Sequence, residues 1–230
     1  MVLQDLIDET QVGEVVSEEK TLSVVELILS GGTGSIVIIS VLFAMLAVAL
    51  YIYFERLLAI KAASRIDKNF MNQIRDHVMG GKLESARILC AQTDSPVARL
   101  TEKGVSRIGK PLDDINTAIE NAGTLEVYKL EKNVNILATV AGAAPMIGFL
   151  GTVIGMIIAF HQLASSGGQA EMGALASGIY TAMTTTVAGL VVGIIAYMGY
   201  NHLVNRTDKV VHKMEANAVE FLDLLNEPVS

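Results

Sequence analysis

The chain has 230 residues, is 51% hydrophobic with a positive mean hydropathy, and carries a formal net charge of −7. This balance excludes an ordinary soluble domain, because the apolar residues gather into long runs that a soluble core does not require. The charge comes mostly from an acidic N-terminus, with no basic tail or aromatic-interleaved patch for nucleic acid, and the single Cys90 forms no intrachain disulfide.

In residues 1–34, Asp5, Asp8, Glu9, Glu14, Glu18, Glu19 and Glu26 face a lone Lys20, the opposite of the basic start of a secretory signal. Leu22, Val25, Ile28 and Leu29 recur at helical spacing behind Thr21 or Ser23, which predicts a short amphipathic helix on a membrane surface. Gly31-Gly32-Thr33-Gly34 ends it. Residues 35–54 are the first uncharged run, with the ~20 residues a helix needs to cross a bilayer. That helix is read as continuing to about His77, where Gly80-Gly81 breaks it.

The region 55–136 reads as helical throughout. Leu83–Gln92 carries Leu83, Ala86, Ile88 and Leu89 as its apolar positions. Ser95-Pro96 starts another helix, with Val97, Leu100, Val105 and Ile108, and Gly109-Lys110-Pro111 stops it. No proline then occurs until Pro145, so the pattern predicts one helix from about Leu112 to Phe160, roughly 70 Å long. It includes the second uncharged run, 137–160. A short connection, 161–172, leads to the third run, 173–200. That helix continues through 201–230 on Val204, Val211, Met214, Ala218, Phe221, Leu222 and Leu225. The predicted fold class is an all-α membrane protein with three transmembrane helices, two of them extended far beyond the bilayer, plus short helices packed on those extensions.

Lys and Arg set the expected orientation. Thirteen of the seventeen lie in 55–136, one in 1–34, none in 161–172 and three in 201–230. The positive-inside rule places 55–136 and the C-terminus in the cytoplasm, with the N-terminus and the 161–172 connection outside.

The chemistry lies in the second and third runs. Pro145, Gly148, Thr152, Gly155 and Ala159 share one helix face, and Gly151 and Gly155 form a Gly-x-x-x-Gly pair. In the third run Gly178, Ala182, Thr186, Gly189, Gly193 and Ala196 form a second small face, with Thr181 and Thr185 beside it. Packing explains such residues, with Thr152 bonding back to the carbonyl of residue 148. A wet pathway is the alternative, because a threonine hydroxyl donates once and accepts twice, and packing explains Thr186 least, since it shares the small face where a neighbour must approach. It cannot hold a proton's charge near neutral pH. Relays through membranes normally use an acid or histidine inside the span, and none is present in these runs, so a conducting reading requires a partner's carboxylate. His161 and Glu171 stand at the outer rim, where they would feed or gate a path, although an interfacial position alone accounts for them. His77, His202 and His212 have no metal spacing, and Walker A, Gly-x-Ser-x-Gly and Cys-pair motifs are absent, so no enzyme activity, cofactor or metal is expected.

At Ala144-Pro-Met-Ile-Gly-Phe-Leu-Gly-Thr-Val-Ile-Gly-Met156 and Gly178-Ile-Tyr-Thr-Ala-Met-Thr-Thr-Thr-Val-Ala-Gly-Leu190 the chain resembles the MotA/TolQ/ExbB proton-channel family. Three spans and a large loop after the first are similar to its ExbB and TolQ branch, ExbB above all. The resemblance implies a motor subunit of a Gram-negative inner membrane. Five copies would surround two copies of a single-span partner of the ExbD/TolR type, whose membrane aspartate carries the proton. The work would reach the outer membrane through TonB, or through TolA in a TolQ-like alternative. By position, Thr152 and Thr186 match the family's pore-lining threonines, with Thr181 and Thr185 beside them. Pro145, Gly148, Gly151, Gly155, Gly178, Gly189 and Gly193 fall in the packing part of the motif. Many ExbB and TolQ proteins carry a glutamate where this chain has Thr181. A non-conducting scaffold, whose small faces only pack, is the rival from another class.

Overall fold

The computed structural model describes residues 32–65, 69–165 and 172–226. The expected amphipathic helix before residue 31, and Glu171, lie outside them. Among the described residues every regular element is a helix. The helices are α1 (Gly32–Ala63), α2 (Phe70–Met79), α3 (Leu83–Gln92), α4 (Pro96–Val105), α5 (Leu112–Glu131), α6 (Val134–Ser165) and α7 (Met172–Asn226). Three of them, α1, α6 and α7, are long and apolar enough to cross a membrane.

Local signals explain most boundaries. Gly80 caps α2, and Gly81 takes a φ of +67° that a side chain would resist. Ser95 caps α4, its hydroxyl accepting from the Ala98 amide at 3.2 Å, with Pro96 at the first helical position. Gly109 turns the chain at a φ of +95°, and Asp113 and Asp114 complement the positive end of α5.

Two predicted helices are shorter than expected. α1 ends at Ala63, and a separate helix begins at Phe70, so the first span does not run on to His77. The predicted helix from Leu112 to Phe160 is two helices. Lys132 is extended at ψ 129° and Asn133 adopts a left-handed φ of 63°, which ends α5 and restarts the chain as α6. Asparagine tolerates that conformation better than most residues. Of the two predicted extensions, only α7 is continuous, its 55 residues spanning roughly 80 Å.

α6 runs antiparallel to α7, and α1 packs against both. Leu42, Ala49, Val140, Ala144, Val192 and Ala196 form the core shared by the three spans. A larger core joins α2–α5 to the C-terminal half of α7. There α7 buries Leu203, Val210, Met214, Phe221 and Leu224, a stripe offset slightly from the predicted one. α4 approaches closely because Gly104 leaves room for the Phe221 ring and Ile119. Arg56 at the foot of α1 pairs with Glu55 and donates to the Lys129 carbonyl at 3.2 Å, tying the first span to the end of α5.

α4 and α5 also hold an ion cluster that sequence patterning did not single out. Glu126, its side chain 6% exposed, accepts from Arg99 at 2.7 Å and from Lys129 at 2.6 Å, and Arg99 also binds Asp94 at 2.7 Å. Burial alone would raise the Glu126 carboxyl, but the hydrogen bonds and charges of Arg99 and Lys129 outweigh it and hold it below its ordinary value.

Candidate functional site: the hydroxyl seam between α6 and α7

Small residues let α6 and α7 meet backbone to backbone. A Cβ on Gly148 would stand 2.7 Å from the Thr185 carbonyl oxygen and 3.0 Å from the Gly189 Cα. One on Gly155 would stand 2.7 Å from the Ala182 Cβ, and one on Gly178 would stand 2.9 Å from the Ala159 Cβ. At Gly193 the obstacle is the Pro145 ring, 2.7 Å away, and the Ala141 carbonyl, 3.1 Å away. That carbonyl lies one turn before Pro145 and loses its helical donor to the proline. Gly151 faces the Thr185 side chain and, from α1, Ile38.

Within this seam the threonine hydroxyls bond across the helices. Thr152 Oγ1 lies 2.9 Å from the Ala182 carbonyl and shares a hydrogen bond with Thr186 Oγ1. Thr186 Oγ1 lies 3.1 Å from the Gly148 carbonyl. The expected bond from Thr152 back to residue 148 is not formed: its hydroxyl turns to α7, and the Gly148 carbonyl lies within reach of Thr185 and Thr186 instead. Thr185, 1% exposed, bridges the Ala182 carbonyl at 2.7 Å and the Gly148 carbonyl at 3.2 Å. Its hydroxyl is enclosed by protein on the side where α1 packs.

Thr181 and Thr184 do not join this network. Thr181 is half-buried, one turn before Thr185, with no hydrogen bond among the described residues. Thr184 bonds back to the Tyr180 carbonyl at 3.0 Å. His161 is exposed near the end of α6.

Thr152 and Thr186 are half-buried, and the face they occupy continues as a groove. Leu190, Gly193, Tyr197 and Tyr200 follow Thr186 at spacings of four and three, and together with Pro145 and Gly142 of α6 they line a cavity of about 410 Å³. The seam thus has a closed side, where Ile38 and Thr185 pack, and a half-buried side with Thr152 and Thr186, whose stripe on α7 leads on to a cavity that neither threonine lines. The hydroxyl pair offers donors and acceptors that can switch direction, and no group that takes up charge. Sequence spacing identified the threonines; it gave no signal for the Ala182 and Gly148 carbonyls, whose role depends on how the two helices meet.

Residues 92–216, more than half of the chain, match the model of the MotA/TolQ/ExbB proton channel family. The putative biopolymer transport protein ExbB homolog of Methanothermobacter thermautotrophicus is 30% identical over 198 residues, covering 84% of this chain and 67% of that one. The Tol-Pal system protein TolQ of Haemophilus influenzae is 31% identical over 209 residues, covering 82% of this chain and 84% of that one. The biopolymer transport protein ExbB of Xanthomonas campestris is 32% identical over 109 residues, or 47% of this chain and 43% of that one.

Proposed function

This chain belongs to the MotA/TolQ/ExbB proton channel family, and we propose that it is an ExbB-like stator subunit, the wall of an ion path rather than the ion carrier. The observation that carries this is the Thr152–Thr186 hydroxyl pair bridging the α6–α7 seam, half-buried and inside uncharged runs that hold no acid or histidine. Hydroxyls can pass a proton along or solvate an ion, but the charge itself needs a carboxylate. A single-span partner of the ExbD/TolR type supplies it from the half-buried side of the seam, while α1 covers the other.

In this reading several copies, five by family resemblance, form a ring around the partner in an inner membrane. The N-terminus is periplasmic and the C-terminus cytoplasmic, as the Lys and Arg distribution favours. Ion flow turns ring and partner against each other, and a TonB-type protein takes the work to the outer membrane. The TolQ relative matches across most of its length, which favours a Tol-Pal role as the second reading.

The test compares the chain alone with the chain co-purified with its partner, in proteoliposomes under a proton gradient. The isolated ring should leak little, and the complex should conduct. Equal proton flux without any partner would overturn the proposal. A sodium gradient in the same vesicles identifies the ion, and the accompanying protein separates the TonB from the Tol role.

A further inference from the structure

A second groove lies between α1 and α7, at the level where their uncharged runs end. It encloses about 370 Å³, and Leu50, Tyr53, Phe54, Ile195, Met198 and His202 are among its walls. Leu50, Phe54, Ile195 and Met198 are all exposed in the chain. The two helices run parallel in a fixed register. The Tyr53 and His202 rings meet edge to face at 6.1 Å, and Lys213 reaches the Ser64 hydroxyl at 3.4 Å, both across the same offset of 149 residues.

Directly beyond the groove the surface becomes basic. His202, Arg206, Lys209 and Lys213 follow at spacings of four, three and four, so every Lys and Arg after Tyr200 lies on one stripe. On α1, Lys61 continues the stripe of Phe54 and Leu58, beside the one that faces α7, and Arg65 follows just past the helix end. Lys61, Arg65, Arg206, Lys209 and Lys213 are exposed, and none is in an ion pair among the described residues. Glu55 is paired with Arg56 and Glu215 with His212, while Asp208 lies about 100° or more around the helix from its basic neighbours. An apolar groove at the end of a span, continued by unpaired cations, complements a molecule with an acyl tail and an anionic head.

We propose that the α1–α7 groove holds an anionic phospholipid, with an acyl chain between Leu50, Phe54 and Met198 and its phosphate among His202, Arg206, Lys209 and Lys61. The site rests on membrane insertion of α1 and α7; the orientation proposed above decides only that the lipid belongs to the cytoplasmic leaflet.

The test uses the full chain purified in mild detergent, with retained phospholipid counted by mass spectrometry. Thermal melts follow in nanodiscs of phosphatidylcholine with and without phosphatidylglycerol. Phosphatidylglycerol should be retained and should raise the melting temperature. Neutralising Lys61→Gln, Arg206→Gln and Lys209→Gln should weaken retention by roughly fivefold per cation, the order expected for a basic residue at a charged membrane surface. Lys82→Gln with Arg107→Gln, away from the groove, should change nothing. Glycerol phosphate should not displace the lipid, since it lacks the tail; displacement would assign the site to free phosphate. Equal behaviour toward both lipids, or retention unchanged in the triple variant, overturns the proposal. Efficient crosslinking between copies through Leu58→Cys without retained lipid assigns the face to a neighbouring subunit.

Orientation is read separately by labelling Asn205→Cys from either side of the membrane. Cys90 does not interfere, because burial and the nearby Glu102 charge push its thiol up to about 12. Labelling from outside would overturn the orientation and leave the lipid result standing.

Discussion

Thr152 of α6 and Thr186 of α7, 34 residues apart in sequence, share a hydroxyl–hydroxyl hydrogen bond across the helix seam. Each also has a backbone carbonyl of the opposite helix within reach, Ala182 for Thr152 and Gly148 for Thr186. The pair thus holds a connected run of donors and acceptors at mid-span. Thr152→Val and Thr186→Val keep the shape and remove the hydroxyl. Inter-helix hydrogen bonds in membranes average about 0.6 kcal/mol, so assembly and melting temperature should change little. Proton-driven transport should fall about tenfold or more, the equivalent of one relay hydrogen bond of ~1.4 kcal/mol. Serine at either position should recover most of it. Full transport in both valine variants would favour the scaffold reading.

Glycine positions along α6 make opposite predictions. At Gly148 the atoms nearest an added Cβ are the Thr185 carbonyl oxygen and the Gly189 Cα, both backbone, so the helices must separate. Gly148→Ala should destabilise the chain by about 1–3 kcal/mol, as overpacking does. Gly142 has nothing within 4 Å. There Gly142→Ala should be neutral or gain up to ~1 kcal/mol from helix propensity. Melts of the two variants in one detergent compare them directly, and equal effects would contradict the close approach.

The three spans were legible as uncharged runs, and the seam as small residues at spacings of three and four, because both are consequences of helical periodicity. Breaks without glycine or proline were not. α1 stops at Ala63 in an Ala-Ala-Ser-Arg stretch, and α5 stops at Lys132-Asn133, each with ordinary helix formers nearby. The partners of the hydroxyls were also hidden. A threonine can bond to its own helix or to a neighbour, and only tertiary packing chooses between them. The Arg99–Glu126 pair joins α4 to α5 across 27 residues, a distance that local pattern does not read.

The α5–α6 break is itself testable. Asn133 holds a φ of 63°, in the left-handed region where a β-branched side chain is strained. Asn133→Val should cost about 1–2 kcal/mol, whereas Asn133→Gly should be close to neutral. Hydrogen exchange at Lys132–Leu137 gives a second readout. A continuous helix there would tolerate valine better than glycine, the reverse order.

Folding lowers the Glu126 pKa, because the bonds and charges of Arg99 and Lys129 outweigh the cost of burial. The folded chain therefore binds that proton more weakly than the unfolded chain. The stability it contributes is complete above the unfolded carboxylate value, near 4.5, and is lost as pH falls through the lower folded value. Arg99 and Lys129 are 39% and 64% exposed, so solvent screens both ion pairs and limits the effect to about 1 kcal/mol. Glu126→Gln should destabilise the α4–α5 contact by that amount at neutral pH and remove the part of the acid sensitivity due to this group. Hydrogen exchange of α4 and α5 at several pH values measures both effects. An unchanged acid transition in the glutamine variant would show that other carboxylates govern it.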